Sequence, residues 1–239
     1  VINIKPIGSG SSGNCYVIDD GHSQLILEAG VNFKKVQRSM NFDFRRVDGL
    51  LITHEHGDHT KYVKNFIDAT TIPVYATAGT IEEKQFTGYR FNKITSSVTY
   101  KIGSWQVMPF DVKHDAAEPV GFLIMNEMGE RLLYVTDCEF VRYKFKNISY
   151  MMIEMNYALD IATDNVNSGE LNYSLKNRIL GSHFEMQSSL DLIRANKSPS
   201  LKEVWLIHIS KTNGDPERFK KATQQLTGVP VYIATDFIS

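Results

Sequence analysis

At 239 residues, with 42% apolar and 11% aromatic side chains, the chain can build a substantial core, as one large domain or two small ones. A net charge of −1 excludes the global basicity of a protein that coats duplex DNA, so any nucleic acid must be met locally. Cys15 and Cys138 make no disulfide framework, the residues from Val1 do not have the order of a secretory leader, and no apolar run approaches the ~18 residues of a membrane span; a soluble, cytoplasmic protein is expected.

In chain order, Ile2 to Ile7 reads as a strand that runs into Gly8-Ser9-Gly10-Ser11-Ser12-Gly13-Asn14. This loop lacks the Lys-Ser/Thr ending of a P-loop and leads into a second strand, Cys15 to Ile18, so it reads as a tight turn bordering a site. Asp19-Asp20-Gly21-His22 is a hairpin turn, with His22 solvated, and Gln24 to Leu27 returns as a strand. Phe33 to Met40 has helical spacing with Asn32 as its cap, and Gly49 to Ile52 is again a strand. Tyr62, Val63, Phe66 and Ile67 predict a helix, Pro73 to Ala76 a strand, and Thr80 to Phe86 a helix. Hairpin-like strands follow at Val98 to Ile102, Trp105 to Val112, Val120 to Met125 and Arg131 to Val135, then a buried strand at Tyr150 to Ile153. The chain closes with a helix at Ser188 to Ala195, a strand at Val204 to His208, a helix at Pro216 to Leu226 and a strand at Val231 to Ala234. Strand runs in both halves with helices between them predict an α/β chain of two packed sheets with outer helices. No linker or repeat marks a boundary, so a single domain over 1–239 is expected.

The chemistry concentrates in Thr53-His54-Glu55-His56-Gly57-Asp58-His59-Thr60, directly after Leu50-Leu51-Ile52. Three of the seven histidines and an aspartate fall within six positions at a strand end. Imidazole suits zinc and other first-row metals, and carboxylate also tolerates manganese and magnesium. In so short a loop His54 and His56 can face one ion while Asp58 and His59 face another. The remaining ligands must come from elsewhere. His114, Asp137 and His208 each follow a predicted strand, where side chains of neighbouring strands converge on one rim; taken singly, each also reads as a satisfied core or turn residue. His183 precedes a helix and reads either as a proton donor or as a surface-loop histidine.

These residues carry a resemblance. His54, His56, Asp58 and His59 match the H-x-H-x-D-H signature of the metallo-β-lactamase superfamily, and His114, Asp137 and His208 stand in the order of its later motifs. The glycine-rich loop, His114-Asp115-Ala116 with Pro119-Val120-Gly121, and Glu154-Met155-Asn156 are similar to the small single-domain bacterial DNA exonucleases encoded beside cell-wall two-component regulators. The resemblance runs from Ile4 to about Asn213 and extends more distantly to ribonuclease Z and cyclic-nucleotide phosphodiesterases. It implies the four-layer αββα sandwich of two mixed sheets. It also implies two divalent ions, zinc or manganese: one on His54, His56 and His114, the other on Asp58, His59 and His208, with Asp137 bridging. Asp58 and His183 would be the catalytic residues, His183 protonating the leaving oxygen. Three positions depart from the family pattern: Glu28 replaces the supporting aspartate, Ser182-His183-Phe184-Glu185 replaces the usual Gly-His-Leu-Ser, and Ile209-Ser210-Lys211-Thr212-Asn213-Gly214 shifts the asparagine pair.

Two ions with two carboxylate ligands leave a pocket net positive by about two units, which favours a phosphodiester anion. Paired ions also clamp the attacking and leaving oxygens and lower the pKa of a shared water, so attack by a metal-bound hydroxide is expected. Ser11 and Asn14 of the glycine-rich loop, with Asn156, are candidates to border the substrate; Lys211 either meets a phosphate or stays solvated. The expected function is nucleic-acid phosphodiester hydrolysis, a DNA exonuclease acting at an end or single strand. The alternatives are a small- or cyclic-nucleotide phosphodiesterase and a metal-binding regulator without turnover.

Overall fold

Each predicted strand and helix is present in a computed structural model, which describes residues 1–171 and 173–235. By contact the chain divides into two compact units. One comprises Val1–Asp111 and Ala116–Glu130 with Thr235; the other comprises Val112–Asp115 and Arg131–Ala234.

In the first unit, β1 (Asn3–Gly8), β2 (Cys15–Asp19) and β3 (Gln24–Leu27) form an antiparallel meander. Its second turn is set by short side chains: Asp19 Oδ1 accepts from Gly21 N, and Asp20 Oδ1 from the amides of His22 and Ser23. The sheet then turns parallel through β4 (Val47–Leu51), β5 (Val74–Thr77) and β6 (Phe91–Ile94). The parallel crossovers carry the helices: α1 (Phe33–Ser39) before β4, α2 (Gly57–Thr60) and α3 (Val63–Ala69) before β5, and α4 (Ala78–Glu83) before β6. Asn32 caps α1 as expected, accepting from Lys34 N. Phe33 and Val36 of α1 and Phe66 of α3 bury against Ile26, Leu50 and Val74, with Phe33 and Phe66 edge to face at 4.7 Å. This covering of the parallel strands holds the end of β4 fixed. The unit adds an antiparallel run, β7 (Tyr100–Ile102), β8 (Trp105–Asp111) and β9 (Val120–Met125). Trp105, wholly buried, donates its indole N–H to Ser23 Oγ at 2.9 Å, and Val120 N donates to Thr53 O at 3.1 Å, so this run backs the motif loop.

The second unit is built on β10 (Arg131–Val135), β11 (Tyr150–Glu154), β12 (Glu203–Ile207) and β13 (Val231–Ile233), all parallel. β11 is buried at all five positions, as a central parallel strand covered on both faces must be. Its helices are α5 (Leu159–Asn167), α6 (Tyr173–Ser182), α7 (Met186–Asn196) and α8 (Pro216–Thr227). Asp215 caps α8 with Pro216 in its first turn, and Gly228 ends it at φ 74°. Strand β6 and helices α2, α5 and α6 are additions to the sequence reading, α2 falling within the stretch read as a loop. β6 buries only Ile94, and α5 buries only Ala162, so neither leaves an apolar period to read. Among the described residues no helix is long and apolar enough to cross a membrane.

Candidate metal centre

The motif loop starts where β4 ends, and its shape is fixed by backbone bonds from two neighbours. Asn14 N donates to Asp58 O (2.8 Å), Ala29 N to His59 O (2.7 Å), and Tyr62 N to Ala29 O (2.8 Å). The approach is close enough to need glycine at position 30. A Cβ there would stand 1.6 Å from Asp58 O and 2.8 Å from Asn14 N. Gly30→Ala is therefore expected to displace the loop and lower activity at least about 100-fold, since misplacement by about 1 Å costs that much. A parallel metal titration checks that the loss is one of ligand geometry.

Within the loop, His54 and His59 are buried and His56 and Asp58 half-buried. The His54 ring centroid lies 4.7 Å from that of His56 and 4.2 Å from that of His59. Glu28, wholly buried at the end of β3, sits behind them. Thr53 Oγ1 donates to Glu28 Oε1 at 2.8 Å, which spends its only proton; His54 Nδ1, 2.9 Å away, is then the donor to that hydroxyl. His59 Nδ1 lies 3.4 Å from Glu28 Oε2. A proton on His54 Nδ1 leaves its Nε2 as the nitrogen able to take a metal ion, the usual arrangement behind a ligating imidazole. The glutamate that replaces the family's aspartate thus still supports the loop.

Asn14, expected to border the substrate, is buried beneath this loop. Its Nδ2 reaches Asp58 Oδ2 and His59 Nε2, both at 3.2 Å, while Oδ1 accepts from Gly10 N and the Tyr16 hydroxyl. Ser11 is exposed.

In the second unit, Asp137, Glu154 and His208 stand at the carboxyl ends of the adjacent parallel strands β10, β11 and β12, the edge where such sheets place ligands. Together with His183, which follows α6, they offer ligand atoms within 4.8 Å of one another. Glu154, which the sequence reading did not place in the site, is the centre of this group. Wholly buried, it meets His183 Nδ1 at 2.7 Å and His208 Nδ1 at 3.1 Å through Oε1, and accepts from Cys138 N and Phe184 N through Oε2. Its sequence signals are the resemblance of Glu154-Met155-Asn156 to the family and its place as an acid closing the apolar run Tyr150-Met151-Met152-Ile153. Asp137 Oδ1 lies 3.2 Å from His208 Nδ1 and 3.9 Å from His183 Nδ1. The His183 and His208 rings stack at 5.2 Å.

His114 directs Nδ1 to Ser182 O at 3.0 Å, again leaving Nε2 to face a ligand, and its ring lies 6.2 Å from that of His183. Asn156, also expected at the substrate, is buried and donates from Nδ2 to His208 O at 2.7 Å. Lys211 is exposed.

Burial would push the Glu154 carboxyl up, but the His183 charge beside it, with hydrogen bonds from His183 and His208, holds it below the usual carboxylate range. Burial pulls His183 down, yet Glu154 and Asp137 outweigh it and keep the ring protonated above the ordinary histidine range. The Cys138 thiol is pushed well up by burial and by the Glu154 and Asp137 carboxylates, so it supplies no thiolate. The donors are imidazoles and carboxylates alone, a set that fits borderline and hard divalent ions, and the second unit's group by itself is capable of holding one.

Residues 24–209 match the beta-lactamase superfamily domain. The chain belongs to that superfamily. It has the α/β sandwich of two mixed sheets with helices that characterises the metal-dependent hydrolases of the group. The metallo-β-lactamase-fold protein YhfI of Bacillus subtilis superposes with a TM-score of 0.76 at 15% identity, over 99% of this chain and 97% of that one. Exodeoxyribonuclease WalJ of Streptococcus pneumoniae is 26% identical over 97% of this chain and 90% of its own length. Exodeoxyribonuclease YycJ of Bacillus anthracis is 25% identical over 94% and 89%.

Proposed function

We propose that this superfamily member is a metal-dependent DNA exonuclease acting in the cytoplasm on a DNA end or single strand. The observation that carries this reading is the near full-length similarity to two proteins named as exodeoxyribonucleases. The chemistry of the donor set accords with it. In this reading the chain works as one domain and holds two divalent ions, zinc or manganese. His54, His56 and His114 serve one, Asp58, His59 and His208 the other, and Asp137 both. Bound there, such ions supply Lewis acidity and positive charge for a phosphodiester and activate water.

The chain's own residues do the rest. Glu28, through Thr53, fixes the His54 tautomer; Asn14 holds Asp58 and His59 in register. Asp58 orients the attacking water. His183, its Nδ1 proton engaged by Glu154, delivers the proton on Nε2 to the leaving oxygen. Glu154 steadies the charged ring beforehand. Asn14 and Asn156 act through the ligands, which leaves exposed Ser11 and Lys211 as the residues to meet the DNA strand.

A digest of end-labelled single- and double-stranded DNA by the metal-loaded protein, run beside cyclic nucleotides, tests the reading. Progressive shortening from one end is the expected result. Consumption of cyclic nucleotides with DNA left intact would replace it with a small-nucleotide phosphodiesterase.

A further inference from the structure

The segment that leaves Asp137 has no regular secondary structure, yet its backbone is held at several points. Lys113 N donates to Phe140 O and Glu139 N to Lys113 O, next to His114 in the chain. Further along, Phe145 N donates to Asn196 Oδ1 at 2.6 Å and Arg131 Nη1 to Lys146 O at 3.1 Å. On this fixed strip, Phe140-Val141-Arg142-Tyr143-Lys144-Phe145-Lys146, aromatic and basic residues alternate. Val141 is buried and anchors it, while Phe140 is 59% exposed and Arg142, Lys144 and Lys146 are exposed. The Arg142 guanidinium lies 5.9 Å from the Tyr143 ring centroid, and the Tyr143 ring 6.2 Å from that of Phe145. The strip borders a cavity of about 410 Å³ whose far wall is Phe184 and helix α7. Phe184 follows His183 and donates its N–H to Glu154, so one lining residue of the cavity adjoins the candidate proton donor in the chain. The two acids nearby are already engaged: Glu139 pairs with Lys113 at 2.8 Å, and Asp191 with Arg194.

A chain with a net charge of −1 has here a local run of three cations interleaved with rings. Rings stack on the π-face of an unpaired base, and the cations between them follow the phosphates. We infer that this strip is a stacking platform for the unpaired bases of a single DNA strand beside the cleavage centre, an inference that rests on the exonuclease reading. Bases inside a duplex are stacked on each other and cannot use it, so the platform selects a single-stranded or frayed end.

The test is fluorescence anisotropy with a fluorescein-labelled, nuclease-resistant phosphorothioate oligothymidine and its abasic counterpart, beside a digest of unmodified single-stranded DNA. Wild-type protein is expected to prefer the base-bearing strand by about tenfold, the scale of one stacking contact. Phe140→Ala and Tyr143→Ala should remove most of that preference. Arg142→Gln with Lys144→Gln should weaken both strands alike and flatten the salt dependence. Tyr89→Ala, which removes a still more exposed ring under Arg90 in the first unit, should change nothing. Undiminished base preference in Phe140→Ala overturns the platform, and so does an effect confined to the sedimentation of the protein, which would make the face a contact between copies. If Phe140→Ala digests DNA with unchanged KM, the platform falls and the nuclease reading stands. If wild-type protein shows the base preference but degrades no DNA, the nuclease reading falls and the platform stands. Absence of any DNA binding sinks both.

Discussion

Asp137→Ala is expected to abolish metal binding and turnover together. Asp137 is buried at the end of β10 with its carboxylate 3.2 Å from the His208 ring, so in the proposed centre its loss removes charge from both ions at once. Glu154 cannot substitute, because it is already engaged by two imidazoles and two backbone amides. Asp137→Asn separates charge from shape. Asparagine tolerates the left-handed backbone at this position (φ 43°) and keeps the side-chain volume, so the fold should persist while the affinity for metal falls. Metal content after dialysis, measured beside kcat on a labelled DNA strand, checks the pair. An alanine variant that retains its metal would show that Asp137 is not a ligand.

His183→Ala should behave in the opposite way, retaining metal while kcat falls on the order of 10²–10⁴-fold, the scale of a lost general acid. The reason lies in its partners. His183 is held through Nδ1 by Glu154 at 2.7 Å and keeps a side-chain exposure of 23%, so its other nitrogen is accessible. Glu154→Gln is the companion variant. It leaves the side chain in place but removes the charge that holds the ring protonated, so it should lower kcat with a smaller effect on KM. Metal loss in His183→Ala would reassign that ring from proton donor to ligand.

The motif loop was legible because a metal constrains residue type so tightly: imidazoles and a carboxylate crowded at one strand end have few other uses. His114, Asp137 and His208 were legible for a related reason, each closing an apolar run. The carboxylates that orient the ligands were harder. Glu28 was visible only as a departure from the family's pattern, and Glu154 as part of a family motif and an acid after an apolar run, with nothing local to say that His183 would come to it from a distant segment. Helix α5 was missed because only Ala162 of its side chains is buried, which leaves no apolar period to read. The division of the chain into two units was hidden for a topological reason. Val112–Asp115 belongs with residues far along the chain, and no local composition announces such an excursion.

Glu28, Asp137 and His208 share one further trait: at φ 67°, 43° and 53° they are among the few non-glycine residues in the left-handed region. Each such conformation costs roughly 1 kcal/mol or more, and here it coincides with burial of a polar side chain. The parts of the chain that make a centre possible are thus among those that fit their own backbone least well. Selection for heat resistance alone would therefore tend to wear this centre away, and only continued demand for the reaction would keep these residues in place.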